Sequence, residues 1–166
     1  MAYIQLNDPE TFIEFWENMA SSIKLLNHTN EEPHYYAADI YELKDAFLHK
    51  IHSPAMISMC LSSNILDGKS HIQERVQCML WIVAKEERND DVAKQTVLNQ
   101  CKDIVYHILG RLQKYKEEYE LPGYEHRNCR IYQQSNVEPG WHGYALELPI
   151  LVPVTSRISY DENNYN

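Results

Sequence analysis

Glycine is scarce, with five in 166 residues. None falls in a G-x-G-x-x-G or Walker-type loop, so the chain lacks the backbone cradle that holds nucleotide phosphates. No G-x-S-x-G element presents a nucleophilic serine. Cysteine is limited to Cys60, Cys78, Cys101 and Cys129. They fall on separate predicted elements without a C-x-x-C pair, so buried free thiols are expected in place of a disulfide or metal framework. Basic charge is short: 15 Lys and Arg stand against 24 Asp and Glu, a formal charge of -9, and no Lys/Arg cluster exceeds a pair. Affinity for a phosphate backbone comes from cations displacing counterions, so neither nucleic acid nor an anionic membrane surface is expected as a direct ligand. No apolar run approaches the roughly 20 residues of a membrane span. The stretch MAYIQLNDPE has neither the basic nor the apolar region of a signal peptide. A soluble protein made in the cytoplasm is the expectation.

What the chain does have is one long amphipathic stretch, Asp90 to Glu120. Val97, Leu98, Cys101, Ile104, Val105, Ile108, Leu109, Leu112 and Tyr115 recur in steps of three and four, the period of one helix face. Asn89, Asp90 and Asp91 offer capping oxygens at its start, and Leu121-Pro122-Gly123 cannot continue it. Asn7-Asp8-Pro9 predicts an earlier helix from Pro9 to about Leu26, with Phe12, Ile13, Trp16, Met19, Ala20, Ile23 and Leu26 as its stripe. The polar run Asn27 to Tyr36 reads as an exposed loop, and Ala37 to Ile51 as a second helix ended by His52-Ser53-Pro54.

Four strands are predicted. Ala55 to Leu61 is short, apolar and bounded by Ser62-Ser63-Asn64, and a turn follows at Asp67 to Ser70. Ile72 to Lys85 alternates, with Val76, Cys78, Leu80, Ile82 and Ala84 toward a core and Gln77, Met79, Trp81 and Val83 opposite. That second face is covered either by an amino-terminal helix or by another subunit. Asn128 to Gln134 is the third strand, followed by a turn over Ser135 to Gly140. Trp141 to Val154 is the fourth, with Tyr144, Leu146, Leu148, Ile150, Val152 and Val154 in one register. Pro149 and Pro153 fall in the other, which favours an edge or a bend in its second half.

The order strand, strand, long helix, strand, strand implies an α/β (α+β) fold: a two-layer sheet of about four strands with the long helix across it. Residues 1–154 form a single domain, with 1–53 a helical amino-terminal extension and 54–154 the strand-helix-strand unit. Residues 155–166 are a polar tail that orders only on a partner.

Local chemistry is thin. His49 and His52 share a helix face, but no further ligand completes a metal site. His28 and His34 sit in the polar loop, solvated or at an interface. Glu86-Glu87 and Glu117-Glu118 read as solvated element ends. Glu147 interrupts an apolar strand and either meets a subunit or reaches water. Twelve tyrosines and three tryptophans, several in polar contexts, suit protein contacts, because each joins a large apolar body to a polar handle. The candidate contact residues are Met79 and Trp81 on the outward strand face, Trp141, Tyr144 and Glu147 on the last strand, and Tyr160 and Tyr165 in the tail. No catalytic residue, cofactor or metal ligand is expected.

The segments HSPAMISMCL, QERVQCMLWIVAKEE, NDDVAKQTVLNQCKDIVYHIL and WHGYALELPILVPV, in that order, resemble the tail-completion proteins of tailed bacteriophages and related contractile tail-like particles, the tail-terminator or neck group. The resemblance spans about residues 10 to 154. The two-helix amino-terminal segment, the loop NHTNEEPHYY and the polar tail are additions to the simplest pattern. The resemblance implies a structural virion protein with no catalytic residues. Its subunits form a homo-oligomeric ring, commonly a hexamer, that caps the tail tube and meets sheath or neck and connector proteins. DNA passes through such a ring without sequence-specific binding, and an acidic lumen would repel it. A cytoplasmic protein-binding adaptor module is the alternative. A small enzyme or metal-binding protein, with a site assembled from scattered His, Tyr and Glu, ranks third.

Overall fold

The computed structural model describes residues 4–38, 51–67, 71–88 and 90–154. Two α-helices, α1 (Pro9–Ser22) and α2 (Asp91–Glu117), cover one face of a sheet built from β1 (Tyr35–Ala37), β2 (Ala55–Asp67), β3 (Ile72–Lys85), β4 (Arg130–Ser135) and β5 (Trp141–Pro153). A short 3-10 turn, His126–Asn128, precedes β4. The order across the sheet is β1-β2-β3-β5-β4, with β1 parallel to β2 and every other pair antiparallel. The mixed α/β class and the long helix across the sheet match the sequence reading; the strand number becomes five through β1.

The long helix forms where the period places it. The Asp90 carboxylate accepts the Ala93 N–H at 2.7 Å, which caps the first turn. Its stripe of Val97, Leu98, Cys101, Ile104, Val105, Ile108 and Leu112 is buried, with Leu109 and Tyr115 at the margin. Beneath it lie Val76, Cys78, Leu80 and Ile82 of β3 and Leu146, Leu148, Ile150 and Val152 of β5. Each strand offers every second residue to the same core, as a pleated strand must.

α1 is shorter than its periodicity suggests. The Ser21 hydroxyl donates to the Glu17 carbonyl and that of Ser22 to the Met19 carbonyl, while Ile23 turns extended as the C-cap. These local bonds compete with continuation of the helix, although Ile23 and Leu26 remain buried. α1 joins the same layer as α2: Phe15 packs on Trp16 and on Tyr115 of α2. It therefore leaves the Met79/Trp81 face alone. The Tyr35 hydroxyl ties α1 to the sheet, donating to the Ile13 carbonyl at 3.2 Å and sharing a 2.8 Å bond with Ser58.

Several boundaries are corrected. The expected exposed loop, Asn27 to Tyr36, instead buries His28, His34 and Tyr35 and leads into β1. Ala37, the proposed start of a second helix, is in β1; residues 39–50 of that expectation lie outside the described residues. β2 runs through Ser62-Ser63-Asn64 to Asp67, because β3 supplies hydrogen-bonding partners along its length. A register shift between Cys60 and Ser62 absorbs Leu61. β4 begins at Arg130 because the 3-10 turn occupies Asn128. β5 is an interior strand paired with β3 throughout, yet β4 reaches only Glu147. Beyond that point the Leu151 N–H turns away from β3 to the Gly123 carbonyl. Pro149 and Pro153 share that orientation by alternation, so each missing N–H falls on the sparsely paired side. Gly143 lies where β5 presses against β3, and a Cβ there would run into the Ile82 carbonyl.

Candidate functional site

The sheet face opposite the helices carries the odd-numbered residues of β3 and β5, and it divides into two regions. At one end Ala55, Ile57, Val83 and Trp141 form a small second core, with Tyr36, Ala38, Ile51, Trp81 and Val137 packed around it. Trp81 is thus half-buried in the fold, opposite Ile57 and Ala145 in register. Among the described residues its indole N–H is buried without an acceptor. Met79 follows on the same face, flanked by Met59 and Glu147.

The other end is polar and basic. A groove of about 330 Å³ is lined by Arg75, Gln77, Arg127, Asn128, Arg130 and Glu147, with Pro149 and Leu151 as its apolar wall. Glu147 lies inside it, accepting from the Gln77 amide at 2.7 Å and from the Tyr132 hydroxyl at 3.0 Å. Arg130 is its cross-strand neighbour. On the rim, Arg127 donates to Glu125 at 2.7 Å and Asn128 donates to the same oxygen at 3.0 Å. The Arg127 hydrogen bond leads the effects that hold the Glu125 carboxyl below its ordinary range. Three of the chain's six arginines meet here.

A third feature is an edge. β1 covers β2 only at Met56, Ile57 and Ser58. From Cys60 to Ile65 β2 is exposed, with Leu61 at 40% and Ile65 at 57%, and no described strand pairs with its outer side. A long edge strand with apolar side chains is a template for pairing with another chain. Beside it, Leu6, Phe12, Ile13, Ala37, Ala38 and Cys60 line an apolar cleft of about 340 Å³.

The candidate contact residues are therefore only partly gathered. Met79, Trp81, Trp141 and Glu147 share the open face, Trp141 being 6% exposed within the second core. Tyr144 is on the helix side, where the Lys102 ammonium stands 4.5 Å above its ring. Tyr160 and Tyr165 lie outside the described residues. The arginine groove and the β2 edge were not singled out from sequence. The i, i+3 pair Arg127 and Arg130 was the available signal for the first, while Arg75 is brought to it only by β3–β5 pairing.

His28, His34 and His142 are built into the fold. Contrary to expectation, His28 and His34 are buried: the His34 N–H donates to His28 Nδ1 at 3.0 Å, and His34 Nδ1 meets the Pro54 carbonyl at 2.6 Å. His28 Nε2 is 3.5 Å from Glu17. His142, 2% exposed, accepts the Asn136 N–H at Nδ1 and directs Nε2 toward Glu86 at 3.3 Å. A neutral ring accepting at Nδ1 carries its proton on Nε2. With its Nδ1 lone pair taken by the Asn136 N–H and Nε2 facing Glu86, the ring offers no free lone pair to act as a base, and the nearby thiol, Cys101, bonds the His142 carbonyl instead of the ring and is pushed up to about 12 by burial. Among the described residues no three His, Cys, Asp or Glu side chains converge as a metal site, and no helix is long and apolar enough to cross a membrane.

No protein-family model matches the chain, and no curated protein matches it significantly.

Proposed function

We propose that the chain is a structural subunit of a bacteriophage tail or related contractile particle, a tail terminator or neck component that assembles into a homo-oligomeric ring, with the hexamer that the sequence resemblance implies as its expected form. In this reading the protein is not an enzyme and belongs to the virion. The observation that carries the proposal is the exposed β2 edge from Cys60 to Ile65. It has β-pairing capacity and exposed apolar side chains, and it differs from the opposite edge, the six-residue β4 whose Arg130, Tyr132 and Gln134 are polar or amphipathic. Two unlike edges joined head to tail make a heterologous contact, and such contacts close into rings when the rotation per subunit permits. The sequence resemblance supplies the biological setting, a ring that caps the tail tube and meets neck or sheath proteins.

Leu61→Lys with Ile65→Lys tests the edge. Both side chains are exposed, so the subunit keeps its thermal unfolding while the ring dissociates about tenfold more readily or worse, since burying an unpaired charge costs of order 1.4 kcal/mol or more. A double variant that assembles like the wild type in sedimentation would remove the edge from the interface. A wild-type chain that stays monomeric yet captures an extended peptide on β2 would favour the adaptor reading.

A further inference from the structure

The arginine groove is the part of the molecule that the ring edge leaves without a role. It places Arg75, Arg127 and Arg130 around one opening in a chain of formal charge -9. Arg127 is offset by Glu125, and Arg130 by its cross-strand neighbour Glu147, whose two hydrogen-bond donors, Gln77 and Tyr132, are neutral, so Arg75 is the guanidinium left over. Arg75 and Arg130 are exposed, and Arg75 has no hydrogen-bond or ion-pair partner among the described residues. The groove is therefore short of negative charge in a protein that has an excess of it. Guanidinium groups favour carboxylates, which they bind through paired N–H donors. The apolar wall of Pro149 and Leu151 adds room for a side chain beside the charge. Glu125 and Glu147 oppose a run of phosphates, and the small volume suits one or two carboxylates of a peptide.

We infer that this groove receives the acidic tail segment of a second copy of the chain, centred on Tyr160-Asp161-Glu162. Charge complementarity selects the occupant: within residues 155–166, Asp161 and Glu162 are adjacent and flanked by Tyr160, an aromatic that fits the apolar wall. Length permits it, since Asp161 lies seven residues beyond Val154 and seven extended residues reach about 25 Å. The tail leaves β5 just beyond the Pro149 and Leu151 wall, with the Val154 N–H held by the Ile72 carbonyl, so each subunit presents its groove and its tail origin at the same end of the sheet. This inference rests on the ring reading, and it makes the tail a strap between neighbours.

A charge-swap exchange between full-length chains tests it. One variant carries R75E and R130E, the other D161K and E162K, and oligomer mass is followed by sedimentation against concentration. Each variant alone should dissociate about tenfold more readily than the wild type, because one partner of each charge pair now repels the other; thermal unfolding is unchanged in the tail variant and slightly lowered in the groove variant, where R130E sets a second carboxylate opposite Glu147. Mixing the two at equal concentration should restore assembly, because the lysine tail then meets the glutamate groove and the acidic tail meets the arginine groove. If both variants assemble like the wild type, docking of the tail on a second copy is overturned while the ring reading stands. If both are weakened and mixing restores nothing, the exchange between copies is overturned. A wild type that is monomeric throughout defeats the ring reading first, and tail exchange with it.

Discussion

Trp81, a candidate contact residue on the outward strand face, also packs into the fold. Its ring packs against the second core that holds Ile57, Val83 and Trp141, so Trp81→Glu should lower the free energy of unfolding by about 1–3 kcal/mol through burial of an uncompensated charge. Urea denaturation measures this; unchanged stability with lost assembly would assign Trp81 to the interface alone. The thiols give a second check at this scale. Burial raises Cys101 to about 12 and Cys78 well above the ordinary thiol range. Cys60 is also raised, first by burial and then by Glu74, but it is exposed. The thiolate is the reacting form. Maleimide should therefore label Cys60 first and faster as pH rises, with Cys78 and Cys101 reacting only on unfolding. Early modification of Cys101 in the folded protein, read by peptide mass mapping, would contradict the packing of α2 on the sheet.

At the level of elements, α2 and the β3–β5 pair carry the fold. Ile104 is fully buried between the helix and the sheet, and Ile104→Ala should cost about 2–5 kcal/mol, read as a lowered denaturation midpoint at constant slope. These elements were legible because their signals are local. A 3.6-residue period and a capping aspartate define α2, and strict alternation defines β3 and β5. β1 was not legible: YYA is three residues long and becomes a strand only because Met56 to Ser58 lie alongside it. The same cause hid the far half of β2, whose Ser62-Ser63-Asn64 reads as a stop until β3 provides its partners. Pro149 and Pro153 did disclose the sparsely paired half of β5, since a missing N–H is a constraint visible in sequence. The arginine groove could not be seen, because Arg75 stands more than fifty residues from Arg127 and Arg130.

At the scale of the whole molecule, the described residues form a sheet covered on one face and partly filled on the other, with an apolar β2 edge that no described strand pairs and a basic groove. In the proposed assembly, edge pairing and tail exchange would contribute separably: the Leu61 and Ile65 substitutions test the first, and the charge swap the second. Cys60 links the scales, since it begins the exposed stretch of β2, and its labelling should fall in the assembled state. The most direct measurement is native mass spectrometry of the wild-type chain across a concentration series. A single closed stoichiometry, with the hexamer as the expected species, is the predicted result, and the Leu61→Lys, Ile65→Lys chain should lose it. A wild-type monomer at every concentration would contradict self-assembly through the β2 edge.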